Sequence, residues 1–266
     1  PAPVPGGCGT LKRFRAVYII WLRDLKRHFR DRARIFGSLA TPIIFVFILG
    51  QGLGSSIGGN LSAAGASIDY KTYMFPGILG MTVLFAGVFA SVSIVWDREF
   101  GFLKEMLVAP VPSWSIALGK VVSGATIASF QGCLMLILAP FAGVSLSPLI
   151  IVELIPTLFL VAFSMTGLGV LVASRLKSMQ GFQMIMNFIM MPMFFLSGAM
   201  FPLANAPVWM DTLAKIDPLT YGVDALRAIM LSDVPSRYAF TTDIGLLVLI
   251  SAGMLLIAIS TFRRQS

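Results

Sequence analysis

The sequence is short of charged residues. Asp, Glu, Lys and Arg make up 12% of its 266 residues, whereas hydrophobic residues make up 57%. In a soluble domain about a quarter of the residues are charged, because water must solvate the surface. The chain is therefore not an ordinary soluble protein, and we predict a single membrane domain over residues 1–266.

Side chains for catalysis and metal binding are also scarce. The chain has one histidine, His28, and two cysteines, Cys8 and Cys133. These residues form neither a Ser/His/Asp arrangement nor a set with metal-ligand spacing, so we predict no catalytic residue and no metal site. The two cysteines fall in segments that cannot meet, and we therefore expect no disulfide.

The chain lacks a complete phosphate loop. Gly119 and Lys120 match the end of that motif, but Trp114 stands where its first glycine belongs and Val121 follows the lysine. The motif needs glycines whose backbone N–H groups reach the phosphates, and a Ser or Thr after the lysine for the metal ion. We therefore expect this chain to bind no ATP or other cofactor and not to be an enzyme by itself.

Long apolar stretches fill most of the sequence. A helix needs about 20 apolar residues to cross the hydrocarbon core of a bilayer. The stretches are continuous rather than alternating, which favours helices over a β-barrel. We predict an all-α membrane protein with six transmembrane helices, at Ile35–Leu53, Met74–Val95, Ile116–Phe141, Leu149–Ala173, Phe182–Phe201 and Ile244–Phe262.

The positive charges are divided unevenly among the connections. Sixteen of the twenty Lys and Arg residues lie in segments 12–34, 98–120, 175–177 and 263–264. The positive-inside rule places these segments, and with them both termini, on the cytoplasmic side. The division follows the six-span topology, so the net charge of +8 does not indicate a nucleic-acid partner.

Residues 11–34 are predicted to form an amphipathic interfacial helix. Such a helix lies in the headgroup plane, here with Tyr18 and Trp21 at the water boundary and basic residues near anionic lipid. Membrane lipids are therefore an expected partner. The apolar face is Phe14, Val17, Tyr18, Trp21, Leu25 and Phe29, and the basic face is Arg15, Arg23, Lys26, Arg27, Arg30 and Arg34.

The connection at residues 96–112 is the most distinctive part of the sequence. Phe102, Leu103 and Leu107 recur at helical spacing among charged residues, and Pro110 ends the pattern. A connection that only joins two spans needs no apolar face. We interpret this segment as a short amphipathic helix that docks on a separate soluble partner.

The fifth apolar stretch is rich in methionine. Gln183 and Asn187 lie one helical turn apart, and Met190 and Phe194 follow them. One interpretation is a pliable wall for a lipophilic substrate, with the two amides as polar contacts. The other is a lipid-facing helix whose amides bind a neighbouring helix. The sequence leaves both interpretations open.

The fifth and sixth stretches are joined by residues 202–241. An unstructured loop of this length is unusual in a compact domain. Trp209 and Leu213 belong to one short apolar face, Val223 belongs to another, and Pro218 lies between the two. We predict a re-entrant outer hairpin of two short helices that dip into the outer leaflet.

Two motifs stand out in these connections. One reads Arg98-Glu99-x-Gly101-x-Leu103-x-x-x-Leu107-x-x-Pro110 and is followed by Gly119-Lys120. The other reads Leu196-Ser-Gly198-x-x-Phe201-Pro202 and is followed by Pro207-x-Trp209 and Pro218-Leu-x-Tyr221. These motifs resemble those of ABC type-2 transporter permeases, and the resemblance covers essentially the whole chain with the same order of elements.

The resemblance implies a permease subunit in a bacterial plasma (inner) membrane. It implies a second permease copy or a paralogue, and a dimer of cytoplasmic ABC ATPase subunits that bind the ATP. The first and fifth spans would face the partner permease, which would place Gly50 and the face of Gln183 and Asn187 near the substrate pathway. Together with the pliable-wall interpretation, the predicted pathway residues are Gln183, Asn187, Met190 and Phe194. The residues that would couple to the ATPase are Arg98, Glu99, Gly101, Leu103, Glu105 and Leu107.

The expected function is export of amphipathic drugs or natural products, driven by ATP hydrolysis on the partner subunit. Export of a polysaccharide or a lipid-linked glycan is the alternative. A more distant alternative is an ion-coupled secondary transporter, which would need charged residues inside the membrane to carry the ion. Glu153 alone qualifies, and it lies close enough to the outer boundary to reach headgroups or water.

Overall fold

The protein consists almost wholly of helices, as the sequence predicts. The computed structural model describes residues 8–50, 52, 60–63, 66–99, 112–176, 178–203, 206–231, 234 and 236–263. The helices are α1 (Cys8–Arg30), α2 (Arg32–Ile44), α3 (Tyr70–Glu99), α4 (Ser113–Leu136), α5 (Pro148–Ala173), α6 (Met179–Leu196), α7 (Val208–Ile216), α8 (Pro218–Met230) and α9 (Phe240–Arg263). A π-helical turn (Phe45–Leu49) continues α2, a 3₁₀ turn (Ala139–Ala142) follows α4, and two short antiparallel strands, β1 (Asn60–Ala63) and β2 (Ala66–Asp69), precede α3.

Helix α3 is the centre of the bundle and packs against α4, α5, α6 and α8. Small residues at these contacts let the helix axes approach closely. A Cβ atom at Gly87 would lie 2.8 Å from Thr166 Oγ1, and one at Gly124 would lie 2.4 Å from Thr166 Cγ2. Helices α3, α4 and α5 therefore meet around Thr166 with no room for a larger residue at either glycine.

Four helices in the described part of the chain are long and apolar enough to cross a membrane, namely α3, α5, α6 and α9. Helices α1 and α2 are bent by 70° and add a fifth candidate if the pair is one broken span. The predicted third span is helix α4, which is not among these candidates and which buries the polar residues Lys120 and Gln131. The six-span count therefore stays a prediction.

Helix α1 packs lengthwise along α4. The contacts advance in the same order on both helices, from Phe14 on Trp114, through Ile20 on Gly119, to Phe29 on Phe130. Part of the face that the sequence assigns to lipid is thus covered by protein, while apolar side chains such as Phe14 and Phe29 stay exposed. Helix α1 ends at Arg30, and the last residues of the predicted segment 11–34 belong to α2. The position of α1 in the headgroup plane stays a prediction.

Two short helices occupy the connection between α6 and α9, as the sequence predicts, with Asp217 between them. Helix α8 is buried among α3, α5 and α9. Arg227 of α8 stacks 4.3 Å from the centre of the Tyr73 ring and donates to the Gly198 carbonyl at 2.9 Å. Asp224 accepts from the backbone N–H groups of Arg237 and Tyr238. These bonds fix α8 inside the bundle.

Asp217 is expected to make stability depend on pH. Burial raises its pKa to about 7, although the Leu219 N–H donates to its Oδ1 at 2.8 Å. Within the described part of the chain Oδ2 has no hydrogen-bond partner. Because the folded pKa exceeds the unfolded one, the stabilisation is present at acid pH and is lost as the pH rises through about 7. Full ionisation of the Asp217 carboxyl lowers the free energy of unfolding by up to about 4 kcal/mol, because each unit of difference between the folded and unfolded pKa corresponds to ~1.4 kcal/mol.

The measurement is the thermal midpoint of the detergent-solubilised protein at about pH 5 and about pH 8. Asp217→Asn keeps the helix cap but cannot ionise, so the difference between the two midpoints should shrink. An equal difference in parent and variant would show that other groups cause the pH dependence.

Candidate functional site

Four charged residues, Arg23, Asp24, Asp97 and Lys120, form a cluster where α1, α3 and α4 meet; we call it the Lys120 cluster. Lys120 is buried, and its Nζ lies 2.8 Å from Asp97 Oδ2 and 2.9 Å from Asp24 Oδ2. The same Nζ donates to Ser93 Oγ at 3.1 Å. Arg23 Nη2 lies 2.9 Å from Asp97 Oδ2 and 3.2 Å from Asp24 Oδ1. Two cations thus share two carboxylates, and the cluster is neutral.

The neighbouring residues bring α1 close enough for these contacts. A Cβ atom at Gly119 would lie 3.1 Å from Ile20 Cβ, so glycine at this position lets α1 lie against α4. One turn further on, Ser123 Oγ lies 3.4 Å from Asp24 Oδ2. Trp21 Nε1 donates to Thr126 Oγ1 at 3.1 Å. Helix α1 is therefore attached to α4 by polar contacts as well as by apolar packing.

The Lys120 cluster contains residues that precede and follow segment 100–111, and that segment itself lies outside the described residues. Asp97 comes just before this segment, at the end of α3, and Lys120 comes after it, within the first third of α4. Next to Asp97, Arg98 donates to the carbonyls of Ser174 at 2.9 Å and Leu176 at 2.6 Å. The end of α3 is thus bonded to α1 and α4 on one side and to the end of α5 on the other.

A cavity of about 330 Å³ adjoins the cluster between α1, α3, α4 and α6. Its lining combines polar groups with aromatic rings. The Arg27 guanidinium lies 5.1 Å from the centre of the Trp96 ring. Mixed linings of this kind suit an amphipathic organic molecule. The lining includes Asp24, Arg27, Phe89, Trp96, Met179 and Gln183.

The predicted ATPase-coupling residues fall into two groups. Glu99 is exposed at the end of α3, while the Arg98 guanidinium is used inside the chain on Ser174 and Leu176. The other predicted residues are Gly101, Leu103, Glu105 and Leu107, and they lie outside the described residues. Their coupling role stays a prediction.

The predicted pathway residues of α6 lie on different surfaces. Gln183 and Asn187 are exposed, and Gln183 also lines the cavity of about 330 Å³. Met190 and Phe194 are buried in the core of the chain, where the Phe194 ring packs edge-on against Phe45 at 6.1 Å. The structure therefore brings Gln183 to this cavity and packs Met190 and Phe194 in the core. Whether any of the four lines a substrate pathway stays a prediction.

Glu153 borders a second cavity, of about 620 Å³, between α5, α8 and α9. Its side chain is exposed, and most of the other lining residues are apolar, including Leu160, Ile229 and Phe240. Among the described lining residues Glu153 is the one carboxylate, whereas a bound cation needs several oxygen ligands.

The Lys120 cluster is not among the features predicted from the sequence. The amphipathic pattern places Arg23 on a basic face near lipid, Asp24 has no predicted role, and Lys120 enters only as part of a motif. One signal was available. Asp24 is an acid that interrupts the basic stretch 23–30, and Lys120 is a single charge within an apolar stretch. Buried charges must be paired, so the two could have been proposed as partners.

Comparison with known proteins identifies the class. The family model described as ABC-2 type transporter matches residues 15–231, which is most of the chain. The chain belongs to the ABC-2 type transporter family. It is a permease-type membrane subunit, and it is not itself the ATPase.

Two relatives illustrate the range of the family. The chain is 31% identical over 206 residues to the Escherichia coli K12 protein named "Probable multidrug ABC transporter permease YbhR", covering 75% of this chain and 54% of that protein. The chain thus spans about half the length of this relative. It is 26% identical over 262 residues to Nodulation protein J of Rhizobium leguminosarum bv. viciae, covering 98% of this chain and 96% of that protein.

Proposed function

We propose that this chain is the membrane-spanning permease subunit of an ATP-driven exporter that moves amphipathic drugs or natural products outward. Family membership supports the transporter class. The observation that carries the cargo class is the cavity between α1, α3, α4 and α6, because it combines aromatic walls with charged and amide groups. The name of the Escherichia coli relative, a multidrug permease, agrees with this choice.

The energy would come from a separate cytoplasmic ATPase dimer. Segment 100–111 would dock on that ATPase through the apolar side chains Phe102, Leu103 and Leu107, with Glu99 and Glu105 pairing with its basic residues. A second copy or a paralogue would complete the transporter across the exposed face of α6, which carries Gln183 and Asn187. Permeases of this family normally work with an ATP-binding subunit.

Leu103→Asp is expected to abolish export while leaving membrane insertion intact, because a buried carboxylate would prevent docking of the ATPase. The tagged chain is purified with its ATPase and reconstituted into vesicles, and ATP-dependent ethidium accumulation is measured. We expect accumulation to fall about tenfold or more, the factor for each 1.4 kcal/mol of lost docking energy.

The matched control is Thr212→Asp, at an exposed polar position of helix α7, and vesicles that carry it should accumulate ethidium as the parent vesicles do. Normal accumulation and ATPase retention in Leu103→Asp would exclude the docking role. A parent complex that hydrolyses ATP but moves only a lipid-linked glycan would support the alternative cargo. Ethidium uptake driven by an ion gradient without any ATPase would support a secondary transporter.

Both termini are proposed to be cytoplasmic, on the basis of the distribution of positive charge. In sealed cells, a membrane-impermeant thiol reagent should label a cysteine that replaces Val208, which is 83% exposed on α7. It should not label a cysteine that replaces Arg175, which is exposed between α5 and α6. Lysed cells, in which both positions should react, provide the control. The opposite labelling in sealed cells would invert the topology.

A further inference from the structure

The Lys120 cluster connects three parts of the chain that are far apart in sequence. Lys120 binds Asp97 at 2.8 Å, which joins the residues on either side of segment 100–111. It binds Asp24 at 2.9 Å, which joins both of them to α1. Helix α1 leads at Asp31 into α2 through the 70° bend. The ammonium group of Lys120 and the guanidinium group of Arg23 thus join α1 to the residues that flank segment 100–111.

Stability alone does not account for a buried cluster of this kind. Removing two charges from water is costly, and well-packed apolar residues of similar size usually serve as well or better. The bundle contains many such apolar contacts, for instance among α3, α4 and α5. Because the cluster also lies beside segment 100–111, its charged groups are placed to change the arrangement of the helices as well as to hold it.

The cluster has the composition needed to exchange partners. Lys120 and Arg23 each contact both Asp24 and Asp97, so either carboxylate can stay paired while the other moves. Asp24, Ser93 and Ser123 also line the adjoining cavity, which leaves space for side chains to move. Two alternative pairings of similar energy are what a two-state element requires.

We propose that the Lys120 cluster is the transmission element of this permease, in which Lys120 acts as a positioning residue. Displacement of segment 100–111 by the ATPase moves Asp97 and Lys120 together. The cations and carboxylates then exchange partners, and α1 shifts relative to α3, which turns α2 at the Asp31 bend. The inference rests on the proposed function, because it needs an ATPase that acts on segment 100–111.

The experiment uses two neutral double variants that each leave one ion pair. Asp24→Asn with Lys120→Met leaves the Arg23–Asp97 pair, and Arg23→Gln with Asp97→Asn leaves the Lys120–Asp24 pair. Lys215→Met removes an exposed lysine of α7 while Asp211 stays paired with Arg237, and it is the control. A spin label is attached to the cysteine of Gly37→Cys in α2, in a background that lacks Cys8 and Cys133. At this position no described atom lies within 4 Å of an added Cβ.

In the parent complex, ATP with vanadate should change the electron paramagnetic resonance spectrum of the label at position 37. Both cluster variants should retain ATP hydrolysis, but the spectral change should be smaller than in the parent by about fivefold or more. A factor of about five is the lower limit of typical coupling between two sites. The control should keep the full change. A full spectral change in both cluster variants, or no change in the parent complex, would overturn the inference.

If the double variants do not assemble with the ATPase, Arg23→Gln tests the proposed exchange of partners instead. Arg23 is half-exposed, with 35% of its side chain accessible, so its loss should be tolerated. The loss removes the second cation that partner exchange requires, and we expect retained hydrolysis with a reduced spectral change. A full spectral change in the Arg23→Gln complex would overturn the proposed exchange of ion-pair partners. Absence of an associated ATPase in the parent is a separate result, since it contradicts the proposed function.

Discussion

Lys120→Met is expected to destabilise the protein by about 3–5 kcal/mol, the usual cost of breaking a buried ion pair by removing one partner. The Lys120 side chain is 1% exposed, and Asp24 and Asp97 are nearly as buried. Without the ammonium, two buried carboxylates must share the half-exposed Arg23. The double variant Asp24→Asn with Lys120→Met should be milder, because it leaves one cation and one carboxylate.

The thermal midpoint of the detergent-solubilised protein measures this effect. The control is Lys215→Met, which removes a lysine from the exposed Asp211–Lys215 pair and should change stability by less than about 1 kcal/mol. We expect the midpoints to rank as parent and control, then the double variant, then Lys120→Met. A Lys120→Met midpoint equal to that of the control would show that the cluster is solvated rather than buried.

Composition and apolar stretches were sufficient to predict the class of fold. An apolar helix in lipid satisfies its own backbone hydrogen bonds, so length and hydropathy alone identify it. The helices α3, α5, α6 and α9 were predicted in this way. Helix α4 shows the limit of that argument, because Lys120 and Gln131 lower its hydropathy and are buried inside the protein, where α4 packs against α1, α3 and α5.

The Lys120 cluster could not be assembled from local pattern. Its contacts join residues 23–24 to residues 97 and 120, and no periodicity in a single helix indicates a partner that far away. Amphipathicity predicted that α1 has a polar and an apolar face, but it could not say that α4 covers part of the helix. The burial of Asp24 follows from that packing and not from its neighbours in sequence.

Helix α6 shows that residues in one stripe on a helical wheel can differ in burial. Gln183, Asn187, Met190 and Phe194 lie within about 60° of one another on an ideal helix. The buried residues instead follow steps of four, from Phe182 to Met186, Met190 and Phe194. Each step of four rotates about 40°, so the buried surface turns around the helix along its length, as ridge-into-groove packing requires.

Met190→Ala combined with Phe194→Ala is therefore expected to destabilise the protein by more than about 3 kcal/mol. Met190 and Phe194 are 0% and 1% exposed, and truncation of such residues leaves a cavity that the bundle cannot fully close. The matched control is Met191→Ala with Phe195→Ala, which removes the same side chains one position further along. These residues are 48% and 44% exposed, and their removal should have a small effect.

Thermal midpoints and ethidium accumulation by each reconstituted complex separate two explanations. A core role for Met190 and Phe194 predicts a large loss of stability in the first variant only, with normal substrate selection in the complexes that assemble. A pathway role predicts near-normal stability with a changed preference between ethidium and a neutral dye. Because the two variants differ only in the face of α6 that they alter, the comparison assigns the buried and exposed surfaces of this helix directly.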